Sequence, residues 1–331
     1  MSRVGIVSLV SSAFLFSLLV SSLLIFSASP LASQTAFNGF MPMQGGDPGR
    51  SPTAIPCTDI GDNGVITENT TLTNDLYSNV NYSTCIEISA NDVTLDCDGH
   101  SIINDGSWSR AVRASDVSNV TVRNCNTASG GLVNSVEFRN VNGGEINNNN
   151  FYNGSNVINL GGSNNVLVTR NTFKSDTNSG SAFGGAGTGN VIEDNLFDLT
   201  GSGWQGGGPL AVNLSSDGNF FVDNVFLGNP ITAGAGIYST SEAQGNLIEN
   251  NSFSGFSVGI GLFSVFERGN AENVVRGNLF ENNQIGIYVI IGDLNQIYGN
   301  TLQNNGAGFI FEEDNYNNII YDNDIYDSHN E

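Results

Sequence analysis

The sequence is poor in basic residues. It carries 10 Lys and Arg against 32 Asp and Glu, which gives a formal net charge of −22 and a pI near 4.1. A surface this acidic repels phosphate backbones, so the composition argues against nucleic acid as a partner. Only 13% of the residues are charged and 41 are glycine. This composition predicts many tight turns and excludes a fold built on long solvent-facing helices.

Side chains for metal and redox chemistry are also scarce. Two His and three Met are too few for a copper site of the His/Met type. There is no Cys-x-x-Cys pair for zinc and no Gly-Gly-x-Gly-x-Asp calcium repeat. We therefore predict no cofactor, with Ca²⁺ as the one ion that acidic turns would bind through oxygen ligands.

Long hydrophobic runs are confined to the N terminus. Arg3 precedes an uncharged apolar run over residues 4–26, the order of an export signal. The run is also long enough to span a bilayer. Residues 1–33 are therefore a signal peptide or a retained anchor, with membrane contact only through residues 4–26. Both alternatives predict a secreted protein or one on the extracellular face of the cell envelope.

After this segment the sequence divides into a linker and one folded domain. Residues 34–56 are rich in Gly, Pro and polar residues without apolar periodicity, which is typical of a flexible linker. Residues 57–331 form the domain.

All four cysteines fall early in that domain. An even number in an exported chain favours disulfides over free thiols. Of the three pairings, we favour Cys57–Cys85 and Cys97–Cys125, because Cys97 and Cys125 lie on neighbouring turns of the repeat described next. A stack of buried thiols is the alternative.

One pattern recurs eight times from residue 140 onward: an aliphatic residue, two variable residues, Asn, one residue, and a large apolar residue. The first copy is Ile146, Asn149 and Phe151. The repeated asparagines are Asn149, Asn171, Asn195, Asn224, Asn251, Asn278, Asn300 and Asn323. Their spacings of 22 to 29 residues define a repeat of one structural unit.

A second short apolar run, such as residues 259–262 or 285–289, precedes most copies and has the composition of a β-strand. Two strands in about 25 residues cannot bury an apolar face alone, but stacked coils at ~4.8 Å spacing can. No segment has the 3.6-residue period of a helical solenoid. The repeat therefore predicts an all-β parallel solenoid.

The repeated Asn has a structural explanation. We expect it at the turn leaving a strand, in left-handed geometry that Asn tolerates. Stacked copies then form an internal amide ladder, and the apolar residues three before and two after each Asn point inward. Upstream, Cys125 takes the ladder position. The asparagines are thus a structural ladder rather than a ligand set.

Two features resemble a known family. These are the first coils, with Val93-Thr94-Leu95-Asp96-Cys97-Asp98-Gly99-His100-Ser101-Ile102, and the Asn-x-φ-x-x-Asn-x-φ repeats, where φ is apolar. Both resemble the right-handed parallel β-helix repeat proteins, the NosD-like or CASH carbohydrate-binding and sugar-hydrolase group, over residues 60–328. The resemblance implies a single-stranded right-handed parallel β-helix of about 9–11 coils of 22–29 residues. The family includes lyases, hydrolases, epimerases and adhesins, so it implies no single activity.

Catalytic patterns of polysaccharide-active β-helices are absent. The strings Asn-Thr-Asp, Asp-Asp, Gly-His-Gly and Arg-Ile-Lys do not occur. Glu193 and Asp194 are adjacent on a strand and should face opposite ways. Glu249 and Arg276 lie on adjacent coils and should form a surface ion pair. We therefore identify no catalytic residue.

The longest coils are consecutive and lie between Asn195 and Asn278. Insertions on one face of a solenoid often form its binding surface. Their glycine-rich loop carries Trp204, which can stack on a sugar ring, and Tyr238 is a candidate neighbour for binding. Asp198 and Glu242 are the candidate catalytic acids in this region.

We therefore predict an exported or cell-surface scaffold without identifiable catalysis, either structural or interacting with a polysaccharide or cell-envelope glycan. The alternative is a divergent polysaccharide lyase or glycoside hydrolase acting on acidic polysaccharide, with Asp198 or Glu242 in its site.

Overall fold

The computed structural model describes residues 54–128, 132–152, 156–174, 181–185, 187–201, 210–229, 231, 234–239, 243–263, 271–312 and 315–328. The predicted signal or anchor segment and residues 34–53 of the linker lie outside the described residues. No helix among the described residues is long and apolar enough to cross a membrane.

The described chain coils through three parallel sheets in succession, so the predicted all-β parallel solenoid is confirmed. Sheet A comprises β1 (Ile55–Pro56), β4 (Leu76–Ser78), β7 (Ser101–Asn104), β10 (Asn126–Ala128), β13 (Asn150–Tyr152), β16 (Thr172–Lys174), β19 (Leu196–Asp198), β22 (Val225–Leu227), β25 (Ser252–Ser254), β28 (Leu279–Glu281), β31 (Thr301–Gln303) and β34 (Asp324–Tyr326).

Sheet B comprises β2 (Val65–Ile66), β5 (Thr84–Ile88), β8 (Ser109–Ser115), β11 (Leu132–Arg139), β14 (Asn156–Asn159), β17 (Ser181–Gly184), β20 (Leu210–Leu214), β23 (Ala235–Ser239), β26 (Val258–Phe263), β29 (Ile285–Ile290) and β32 (Ala307–Glu312). Sheet C comprises β3 (Thr70–Thr71), β6 (Thr94–Asp96), β9 (Ser118–Arg123), β12 (Asn142–Asn147), β15 (Leu167–Thr169), β18 (Val191–Glu193), β21 (Phe220–Val222), β24 (Leu247–Glu249), β27 (Val274–Arg276), β30 (Gln296–Tyr298) and β33 (Ile319–Tyr321). A single 3₁₀ turn, Cys57–Asp59, follows β1.

Each coil contains three strands, whereas the sequence predicted two. The difference arises within the repeated motif. The residue immediately before each ladder Asn has a positive φ, as at Arg170 (55°) and Asp194 (55°). That bend places the aliphatic residue on sheet C and the following large apolar residue on sheet A. The repeated motif is therefore a strand, a corner and a second strand.

The core is built from inward rows in which like residues stack on like. On sheet A, Phe151, Phe173, Phe197, Phe226, Phe253 and Phe280 lie in consecutive coils and are fully buried. Successive ring centroids from Phe173 to Phe280 are 4.5 to 5.0 Å apart, with nearly parallel planes. Close stacking follows from the strand spacing, because in-register parallel pairing repeats each side chain once per coil.

Two disulfides join the first coils, in the predicted pairing: Cys57–Cys85 and Cys97–Cys125. The Cα atoms are 5.1 and 4.8 Å apart, respectively, and each bridge spans 28 residues of sequence. The backbone N–H of Cys125 donates to Asn149 Oδ1 at 2.9 Å. Cys125 therefore occupies the ladder position that the repeat assigns to it.

Candidate functional site

The eight repeated asparagines form one continuous ladder at the corner between sheets C and A. Each of the first seven donates its backbone N–H and its Nδ2 to Oδ1 of the next asparagine, at 2.9 to 3.0 Å, and Asn323 ends the ladder. None of the eight has a positive φ, so the prediction that they adopt left-handed backbone geometry is wrong. The preceding residue makes the bend, and Asn supplies the hydrogen bonds.

Two further polar ladders were not predicted. One lies at the corner between sheets B and C, where the backbone N–H of each asparagine donates to Oδ1 of the asparagine in the next coil. Its members are Asn190, Asn219, Asn246, Asn273, Asn295 and Asn318. At the corner between sheets A and B, Asn283 and Asn305 form a shorter one. The signal was in the sequence: the sheet B–C asparagines stand five residues before those of the first ladder.

The length of the corners differs sharply between the three edges. From β9 onward, strands of sheets C and A are joined by two residues, as at 194–195. Connections from sheet A to sheet B range from three residues, as at 282–284, to the eleven of 199–209. Those from sheet B to sheet C reach ten, at 264–273. The longest connections therefore begin or end at strands of sheet B.

The outward face of sheet B carries a row of polar and aromatic residues, one per strand. In register along the sheet this row runs Glu87, Arg113, Glu137, Asn159, Gly184, Asn213, Tyr238, Gly261, Tyr288 and Ile310. Its side chains alternate with fully buried ones, such as Val136 and Phe138 on either side of Glu137. The row therefore faces away from the core.

One half of this face is an aromatic cluster. The Phe263 ring centroid lies 4.6 Å from that of Tyr238 and 4.9 Å from that of Tyr288. All three rings are half-buried. A Cβ on Gly261 would collide with Phe263, so only glycine lets that ring lie across the strand between the two tyrosines. Tyr288 also donates a hydrogen bond to Glu312.

The other half is a compact group of charges. Both Arg110 and Arg113 direct Nε toward Glu137 Oε2, the latter at 3.4 Å. These contacts are ion pairs, and neither has the geometry of a hydrogen bond. Burial raises the pKa of Glu87 above its ordinary value; Arg113 and Arg110 oppose this shift, and Glu137 adds to it. Sequence inspection missed this group because its members come from three separate coils.

The residues named from sequence do not converge within the described chain. Tyr238 lies on sheet B, in the aromatic cluster. Asp198 lies on sheet A, and its Oδ1 accepts hydrogen bonds from the Thr200 N–H at 3.1 Å and from Thr200 Oγ1 at 2.6 Å. Trp204 and Glu242 lie outside the described residues.

The predicted ion pair between Glu249 and Arg276 is present on the outward face of sheet C. Arg276 donates to both Glu249 oxygens at 2.9 Å, and to the Tyr298 hydroxyl at 3.0 Å. Hydrogen bonds from Arg276 to Glu249 and to Tyr298 raise the pKa of Arg276, so its charge is fixed.

Within the described ranges, no three His, Cys, Asp or Glu side chains converge as metal ligands. Acidic side chains of three consecutive coils, Asp194, Asp223 and Glu249, influence one another at the corner between sheets C and A. Partial desolvation raises the pKa of Asp223; the hydrogen bond from Asn250 opposes this, and the neighbouring Asp194 and Glu249 add to it.

The family model described as "Right handed beta helix region" matches residues 210–330. The match indicates a right-handed coil, and the three parallel sheets have the same arrangement throughout the described residues. The fold is a right-handed parallel β-helix. A comparison of the β-helix with curated proteins finds no match.

Solved structures with the same architecture include an alginate lyase from Paenibacillus sp., at 10% identity and a TM-score of 0.50. The match covers 79% of this chain and 89% of the lyase. The A-module of a mannuronan C-5 epimerase from Azotobacter vinelandii matches at 11% identity and a TM-score of 0.48, over 82% and 95% of the two chains. At 10% identity, the match to the lyase establishes the shared fold alone.

Proposed function

We propose that this chain is an exported β-helix scaffold whose outward sheet B face binds a polysaccharide, without catalysis of its own. The aromatic cluster carries the proposal. Tyr238, Phe263 and Tyr288 offer half-buried rings for the apolar face of a sugar. The amides of Asn159 and Asn213 lie in the same row and suit hydroxyl groups.

The geometry of the row suits an extended polymer rather than a small molecule. Neighbouring strands are ~4.8 Å apart, close to the advance of one sugar along an extended glycan. Consecutive coils would therefore meet consecutive sugar units. The structurally similar alginate lyase, by its name, acts on a polysaccharide.

Export is supported by the two disulfides, since such bridges persist in oxidising compartments. Residues 1–33 supply either the signal or an anchor. The chain would then meet its glycan outside the cell or at the envelope.

A glycan array with residues 54–331, in Ca²⁺ and in EDTA, tests the binding proposal. Tyr238→Ala and Tyr288→Ala should each weaken binding about tenfold, the loss of one aromatic contact. Tyr298→Ala, on the outward face of sheet C, is the matched control and should bind as the parent does. Equal losses in all three variants, or no glycan bound, would count against the proposal. Binding lost in EDTA would establish a Ca²⁺ requirement.

A second candidate is a lyase or hydrolase acting on acidic polysaccharide. Glu87 and Glu137 face outward two strands apart, ~9.6 Å along the sheet, near the separation of inverting glycosidase carboxylates. The raised pKa of Glu87 suits a general acid. Release of reducing or unsaturated ends from a uronic-acid polymer, abolished by Glu87→Gln and by Glu137→Gln, would establish it. No release by the parent chain would reject it.

A further inference from the structure

The arrangement of the basic side chains bears on what the sheet B face can hold. Seven Lys and Arg lie in the described chain, and five of them are in ion pairs. These pairs are Arg110 and Arg113 with Glu137, Arg123 with Asp96, Arg170 with Glu145, and Arg276 with Glu249. Most of the positive charge on the described residues is thus already neutralised by the chain's own carboxylates.

The aromatic half of the face, from β20 to β32, has no basic side chain among its described residues. The one charged residue in its described strands is Glu312, which accepts a hydrogen bond from Tyr288. Arg139 is exposed at the far end of β11, in the charged half. A sugar stacked on Tyr238 or Tyr288 would therefore meet rings, amides and one carboxylate.

The net charge of the whole molecule also disfavours an anionic ligand, through a long-range electrostatic potential. With a net charge of −22, its potential opposes the approach of a polyanion at low ionic strength. Salt shortens the reach of that potential to ~10 Å at 0.1 M. Neither this potential nor its screening by salt would affect the binding of a neutral polymer.

We propose that the ligand of the sheet B face is an uncharged glycan, rather than a uronate or sulfated polymer. This inference rests on the proposed function of that face. The recognition chemistry is ring stacking and amide–hydroxyl hydrogen bonding, without a charged anchor. It separates this chain from any enzyme that must hold sugar carboxylates.

The test is a panel of neutral, uronate-containing and sulfated polysaccharides, presented to the full chain at 20 mM and 500 mM salt. Neutral glycans should be the ones bound, with affinity changed less than threefold by salt. Anionic polymers as the preferred ligands, with affinity falling as salt rises, would overturn the inference. Failure to bind any member would instead reject the proposed function itself.

A gain-of-function variant tests the same point independently. Ile310 follows Tyr288 in the outward row and is half-buried. Ile310→Lys should strengthen binding of uronate oligomers at least tenfold at 20 mM salt, and Ile310→Gln should not. An unchanged uronate affinity in Ile310→Lys, with neutral-glycan binding retained, would show that charge does not decide selection and would contradict the inference.

Discussion

Asn149 serves three buried groups at once. It accepts the N–H of Cys125, donates to the Val122 carbonyl at 3.1 Å, and donates to Asn171 at 2.9 Å. Removing its amide would leave buried partners without hydrogen bonds, which costs about 1–3 kcal/mol for each orphaned group. The surrounding buried backbone groups therefore need the Asn149 amide as their hydrogen-bond partner.

Asn149→Ala should therefore lower the free energy of unfolding by about 2–4 kcal/mol. Asn147→Ala is the matched control, because Asn147 belongs to the same strand-and-corner segment but faces outward. Its effect should stay within about 0.5 kcal/mol. Urea unfolding measures both, and amide exchange at Cys125 should accelerate only in Asn149→Ala. Similar effects from the two variants would contradict the stabilising role proposed for the ladder amide.

At the same corner, the ionised carboxylate of Asp223 destabilises the folded state. Its pKa is raised in the folded chain, so the folded state holds the proton more tightly than the unfolded state. Ionisation therefore destabilises the fold as pH rises from the unfolded value, about 3.9, through the raised folded value. The penalty is complete at neutral pH and absent in strong acid.

Asp223→Asn should accordingly raise the urea midpoint at pH 7 and have little effect at pH 3. The gain should stay below about 0.5 kcal/mol, because Asp223 is exposed and solvent screens its neighbours. Asn keeps the positive φ of 55°. Asp322→Asn makes the same exchange at the corresponding turn of the last coil, so it serves as the control. A gain that persists unchanged at pH 3 would point to turn propensity instead.

Among the elements, the phenylalanine stack of sheet A is the main apolar column. Phe226 is fully buried, with its centroid 4.6 Å from both Phe197 and Phe253. Phe226→Ala should destabilise the fold by about 3–5 kcal/mol. Phe226→Leu should cost clearly less, since Leu302 already holds this position in a later coil. Urea unfolding distinguishes them, and equal losses would mean that stacking, rather than filled volume, sets the stability.

The elements also explain what sequence could predict. Eight asparagines that recur every 22 to 29 residues reveal the coil, because each coil must repeat the same hydrogen bonds. The third strand stayed hidden because the bend lies at the variable residue before Asn, where Arg170, Asp194 and Gly277 differ in type. The aromatic cluster was missed, except for Tyr238, because its rings come from separate coils and meet only through register.

At the scale of the whole molecule, stability should be distributed coil by coil, because a solenoid makes contacts mainly between neighbouring coils. Each disulfide closes a loop of 28 residues, worth about 3–4 kcal/mol by chain entropy. Reduction should increase hydrogen exchange in residues 54–128 and leave residues 271–312 unchanged. Mass spectrometry with and without reductant measures this, and loss of protection throughout would contradict local coupling.

The two-residue corner between sheets C and A has a consequence for how such a chain can change length. Excising residues 225–251 would join Asn224 directly to Ser252, which reproduces the Asn251–Ser252 junction. The coils above and below would meet the same ladder oxygen and the same phenylalanine. Whole coils can thus be deleted or duplicated between ladder asparagines, and each such event would shorten or lengthen the outward face of sheet B by one strand spacing, ~4.8 Å.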